Sequence, residues 1–134
     1  MDIFTRAERS ILMSRIKAKN TLPERLLFTE LRRLGIRFRR HYKIYGKPDI
    51  AFPRENLAIF IDGDFWHGYN WESKKEIPPK VFWQSKIRQN IKRDRKVNKQ
   101  LFRQGWKVMR IWEHTVKKNP HGCAVRIVRR LKSI

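Results

Sequence analysis

The chain is poor in three things, and each scarcity narrows what it can be. It has one cysteine, Cys123, among 134 residues. No disulfide can close within it, and a reducing cytoplasm is the compartment expected. One cysteine and four scattered histidines also exclude a Cys-rich structural zinc site at the usual ligand spacings. No apolar run approaches the roughly 20 residues that a spanning helix needs. Met1-Asp2-Ile3 opens on an acid with no apolar stretch behind it, so no secretory signal is expected either. Acids are the third scarcity: 12 Asp and Glu stand against 33 Lys and Arg, a net charge of +21. Such an excess repels itself in a compact state and is best tolerated opposite a polyanion. Repeats and low-complexity linkers are missing too, so residues 1–134 are read as one domain, with 1–20 a basic N-terminal arm or helix. Cys123 is read as a core or helix residue rather than a nucleophile.

What is present suits a small globular fold, with 40% hydrophobic residues. Within the arm, Ile11, Leu12, Met13 and Ile16 have near-helical spacing. Thr21-Leu22-Pro23-Glu24 has the form of a capping box with Pro in the first turn. The helix it opens carries Leu26, Leu27, Leu31 and Leu34, and Gly35 stops it. Ile36 to Tyr42 alternates apolar with basic up to Phe38 and predicts a half-exposed strand. Ile50-Ala51-Phe52 and Leu57 to Ile61 flank Pro53-Arg54-Glu55-Asn56, the pattern of a β-hairpin. Helical spacing returns over about 80–104 in Val81, Ile87, Ile91, Leu101 and Phe102, and Gly105 ends it. Trp106 to Trp112 predicts another strand, and Asn119-Pro120 opens a closing helix with Val125, Ile127, Val128 and Leu131. The fold class expected is α/β, a mixed β-sheet flanked by helices.

The chemistry centres on Gly46 to Gly68. Asp49 enters the first strand of the hairpin and Asp62 leaves the second, so the open ends would bring the two acids together. Pro-Asp and Asp-Gly are also ordinary turn pairs. At the ends of apolar runs, however, a carboxylate without a cation carries a desolvation cost. Converging carboxylates make a hard-oxygen site suited to Mg²⁺. His67, five residues after Asp62, is a candidate general base. In so basic a chain these features point to hydrolysis of nucleic-acid phosphodiesters. The Lys/Arg run from Lys86 to Lys99 reads as a phosphate-tracking face. Phe65, Trp66, Phe82 and Trp83 suit either a core or stacking against bases. Glu24 reads as the N3 member of its capping box, and Asp94 as a salt-bridge partner on a basic helix.

The ordered strings are specific. They run Met13-Ser14-Arg15-Ile16, Glu24 within Thr21 to Leu27, Gly46-Lys47-Pro48-Asp49, and Phe60 to Gly68. Phe82-Trp83, Lys86-Ile87, Asn90, Arg93-Asp94-Arg95, Gly105-Trp106-Lys107-Val108 and Ile111-Trp112-Glu113-His114 complete the series. The chain resembles the very-short-patch (Vsr) mismatch repair endonucleases, of the restriction-endonuclease-like superfamily. The resemblance implies one or two Mg²⁺ ions at Asp49, completed by Ile61 and Asp62, with His67 activating water. It places Glu24 and Asp94 near the active site, and Lys86, Asn90 and Arg93 toward double-stranded DNA. It makes Phe65, Trp66 and Trp83 a wedge beside a mismatched pair, with Met13 from the arm. The implied reaction is a nick beside the thymine of a T·G mismatch left by deaminated 5-methylcytosine, by a cytoplasmic, nucleoid-associated monomer. Family members place a zinc ligand where Asp64 stands and further ones nearby, where this chain has Tyr69 and Trp71. No structural zinc is expected. Two other readings remain, a restriction-type or branched-DNA nuclease indifferent to mismatches and a non-catalytic DNA-binding module.

Overall fold

A computed structural model describes residues 21–63 and 81–134 of the chain, with only the backbone of 81–84. Helix α1 (Leu22–Arg33) begins where the capping pattern places it: Thr21 Oγ1 accepts from the Glu24 amide at 3.5 Å, and Pro23 lies in the first turn. Gly35, at φ +73°, turns the chain out of it. Leu27, Phe28 and Leu31 are its core residues, whereas Leu34 is exposed.

Four strands follow in the order β1 (Arg39–Arg40), β2 (Ile50–Phe52), β3 (Leu57–Asp62) and β4 (Lys107–Trp112), which is also their order across the sheet. The strand expected within Ile36 to Tyr42 is present but short, because only Arg39 and Arg40 pair with β2. Ile36 and Phe38 pack against the core instead, Phe38 stacking on Phe28 with centroids 5.4 Å apart. The hairpin is as expected, β2 and β3 pairing antiparallel with Ile50 opposite Ile59. β3 and β4 pair in parallel from Leu57–Lys107 to Asp62–Trp112. A parallel pair needs a crossover, and helix α2 (Val81–Arg103) lies between them in the chain. Asn56 O accepts from the Lys107 amide at 2.7 Å and starts that ladder. The result is an α/β fold with a mixed sheet flanked by helices.

Strand alternation divides the core. Leu57 and Ile59 face one side, where Ile50, Phe52 and Ile111 join Leu27, Phe28 and Leu31 of α1. Cys123, Ala124 and Ile127 of helix α4 (Pro120–Lys132) and Val116 of the short helix α3 (Glu113–Lys118) complete that layer. Burial holds the Cys123 thiol above its ordinary pKa, in keeping with a core residue. Ala58 and Phe60 face the other side, against Val97 and Leu101 of α2. Phe102, expected with the apolar stripe of that helix, is 76% exposed and Val97 takes the buried place.

Asn119 caps α4, its Oδ1 accepting from the Gly122 amide at 3.0 Å. Asn119→Ala removes that bond and should cost about 1 kcal/mol, read as a fall of a few degrees in Tm with the circular dichroism at low temperature unchanged.

Candidate active site

Three side chains meet where β1, β2 and the start of α1 come together. Asp49 directly precedes β2, after the buried Pro48. Its Oδ2 accepts from the Ile61 amide at 2.7 Å, so β3 holds the carboxylate in place. Glu24 stands in the first turn of α1. Its amide serves the Thr21 cap, while its side chain turns inward and the residue is only 3% exposed. The Thr21 half of the capping box forms through the Glu24 amide, and the Glu24 carboxylate meets His41 and Asp49.

His41, just beyond β1, is the third member. Its backbone lies in the left-handed region at φ +49°, uncommon for a non-glycine residue and characteristic of special sites. Its amide donates to Asp49 O at 3.1 Å, extending the β1–β2 pairing. The ring stands edge-on to Phe28, centroids 6.3 Å apart at 86°. Nε2 then lies 3.4 Å from Glu24 Oε2, outside good hydrogen-bond geometry, and is enclosed without a hydrogen bond.

Ligand atoms of Glu24, His41 and Asp49 all lie within 4.8 Å of one another, the one such cluster of three among the described residues. Burial raises the Asp49 pKa from 3.8 to about 7, the Ile61 amide opposes that rise, and the neighbouring Glu24 carboxylate adds to it. Two carboxylates enclosed side by side, with an imidazole nitrogen lacking a hydrogen bond, form a donor set that fits a divalent cation. A cation among them would relieve both the repulsion between the acids and the enclosure of Nε2.

Comparison with known proteins bears on what such a site serves. The family model described as "DNA mismatch endonuclease Vsr" matches residues 1–73. The type II nicking enzyme V.HpaIIP of Haemophilus parainfluenzae is 44% identical over 131 residues, 95% of this chain and 93% of its own length. The chain belongs to the Vsr family. V.NmeDIP of Neisseria meningitidis serogroup C, also a type II nicking enzyme, is 42% identical over 95% of this chain and 88% of its own. The DNA mismatch endonuclease Vsr of Escherichia coli K12 is 32% identical over 84% of this chain and 73% of its own. As a Vsr endonuclease the protein acts on DNA. No helix among the described residues is long and apolar enough to cross a membrane.

Within this Vsr fold the residues singled out from sequence part company. Asp49 and Glu24 converge. Asp62 does not join them, because alternation along β3 turns successive side chains to opposite faces. Its carboxylate accepts from Arg110 Nη1 at 2.8 Å, on the α2 side of the sheet. Ile61 reaches Asp49 through its amide. Asp94 also faces Arg110, its Oδ1 3.6 Å from Nη1, and so bridges helix to strand. Asn90 is 8% exposed, on the buried side of α2, whereas Lys86 and Arg93 are exposed. His67, Phe65, Trp66, Met13 and the side chain of Trp83 lie outside the described residues, as do Asp64, Tyr69 and Trp71.

Sequence reading missed His41 and Arg110. The signal for His41 was slight, a histidine eight residues before Asp49 in a basic stretch. The signal for Arg110 was an arginine between the apolar pairs Val108-Met109 and Ile111-Trp112, which calls for a buried partner.

Proposed function

We propose that the protein nicks one strand of double-stranded DNA beside the thymine of a T·G mismatch, with Mg²⁺, one ion or two, as its cofactor. The observation that carries this reading is the meeting of Glu24, His41 and Asp49 within 4.8 Å, with His41 Nε2 enclosed and without a hydrogen bond. Asp49 and Glu24 would hold the cation through carboxylate oxygens, with His41 as the nitrogen donor. Bound there, the cation would polarise the scissile phosphate and stabilise the leaving 3′-oxygen. His67 takes the proton from the attacking water. Lys86, Lys92, Arg93, Lys96 and Lys99, exposed along α2, hold the phosphate backbone and orient it for in-line attack.

The protein works as a monomer with residues 1–134 forming one domain. Phe65, Trp66, Trp83 and Met13 form the wedge that opens the mismatched pair. Parting a mismatch costs less than parting a matched pair, so discrimination arises from deformability. Asp64 stands where family members carry a zinc-ligating cysteine, and no structural zinc belongs to this reading.

The test is a strand-resolved cleavage assay on end-labelled duplexes that are matched, T·G-mismatched or branched, with Mg²⁺, Mn²⁺ or EDTA. A single cation-dependent nick beside the mismatched thymine is the expected result. Equal cleavage of matched DNA would keep the chemistry and discard the mismatch. Cleavage in EDTA would discard the cation.

A further inference from the structure

Arg110 lies on the face of β4 that meets α2, among apolar neighbours. Its side chain is 18% exposed, and every nitrogen is engaged. Nε donates to Asn98 Oδ1 at 2.7 Å, Nη1 to Asp62 Oδ1 at 2.8 Å, and Nη2 to the Asp94 carbonyl at 3.5 Å. Asp94 Oδ1 is 3.6 Å from Nη1, and the guanidinium carbon stands 4.3 Å from the centroid of Phe60, the residue paired with Arg110 across β3–β4. A guanidinium fork held at so many points is rigid in a way that a single ion pair is not.

The contacts run in two directions. Toward the sheet, Arg110 grips Asp62, whose neighbour Ile61 donates the amide that holds Asp49. Toward the helix, it grips Asn98 and Asp94, one turn apart on α2. Asp94 is the only acid in that helix. Drawn inward onto Arg110, it leaves the outer face to Lys and Arg. One side chain therefore joins the carboxylate of the cation cluster to the helix that meets phosphate.

We propose that Arg110 is a positioning residue of the nicking site, fixing the phosphate-binding helix α2 in register with the Asp49 end of β3. This rests on the cation-dependent nicking reading above. DNA seated on α2 is thereby presented to Asp49 and Glu24 at a set distance. Small displacements of reacting groups have large effects on rate, about 10²-fold for a shift near 1 Å.

The experiment uses the full chain with Arg110→Met, which keeps the stem and removes the fork, and Asn98→Ala, which frees only Nε and suits a helix. Each is assayed at least 15 °C (a chosen margin of roughly that size) below its own Tm. DNA affinity is measured by fluorescence anisotropy with Ca²⁺, and nicking as a single-turnover rate at saturating DNA with Mg²⁺. Arg110→Met should keep its DNA affinity within about 3-fold while the single-turnover rate falls roughly 10²-fold. Asn98→Ala should show the same split at roughly 10-fold. Wild-type rates with only a lowered Tm would overturn the proposal, leaving a merely structural pair. Weakened affinity at an unchanged saturated rate would also overturn it. If Arg110→Met does not fold, Asn98→Ala decides by the same criteria. Nicking that survives Asp49→Asn would instead refute the cation site, so the two failures are distinguishable.

Discussion

Asp49→Asn should lower nicking by roughly 10³-fold or more while DNA binding stays at wild-type strength or tightens. The substitution keeps size and shape. It removes the carboxylate that β3 holds by a backbone amide, at 2.7 Å from Ile61 N, and with it the proposed anchor of the cation. It also removes negative charge from the surface that receives phosphate. Wild-type nicking by the variant would refute the assignment.

The same substitution has a signature in stability. Enclosure raises the Asp49 pKa from 3.8 to about 7. Between those values the folded protein holds a proton that the unfolded chain has released, so stability falls as pH rises through that window. Above it, the cation-free protein carries an ionised Asp49 beside Glu24 at a cost of several kcal/mol. Asp49→Asn should therefore have a higher Tm than wild type at pH 8, in EDTA, and a similar one near pH 4 (both test conditions, roughly either side of the window). Divalent cation should raise the wild-type Tm at the higher pH by mass action and leave the variant unmoved. A wild-type Tm that does not respond to Mg²⁺ or Mn²⁺ would count against cation binding at Asp49.

The second large effect concerns folding. Gly46→Ala should lower Tm by roughly 10 °C or more. Gly46 has φ +82°, where a β-carbon costs about 1 kcal/mol or more. That carbon would also overlap Val97 Cγ1 on α2 and press on Phe60, and overpacking of this kind costs about 1–3 kcal/mol. The overlap with α2 is what sets Gly46 apart from Gly35 and Gly105, where an added carbon meets nothing within 4 Å. Adding Val97→Ala should restore part of the lost stability by opening room, the backbone cost remaining. If the double variant is less stable than Gly46→Ala alone, the overlap is not the cause.

Local chemistry was legible in the sequence where it acts over a few residues. Thr21 and Asn119 announce helix starts, and Pro53 to Asn56 announces the hairpin turn. Asp49 was legible because a charged residue between Pro48 and an apolar strand needs a reason to be there. What escaped depends on partners far along the chain. Asp62 and Arg110 are 48 residues apart, and nothing near Asp62 reveals that its carboxylate is already committed. His41 joins the site because β1 brings it beside Asp49 and Phe28 orients its ring. The strand expected within Ile36 to Tyr42 is shortened to Arg39 and Arg40 for a related reason: Phe38 packs against Phe28 and stays out of the ladder. Helix α3 is only six residues long, too short for any periodicity to declare itself.

The inward turn of Asp94 bears on how the protein would search DNA for its site. The exposed side of α2 is left with one sign of charge, repeated along its length. Such a surface grips every stretch of duplex with equal strength and carries no information about sequence. It favours a protein that travels along intact DNA, sliding and hopping without pausing at any ordinary base pair. On the proposed mismatch reading, the decision to cut then belongs to the DNA itself, at the rare place where two bases part readily enough to be held.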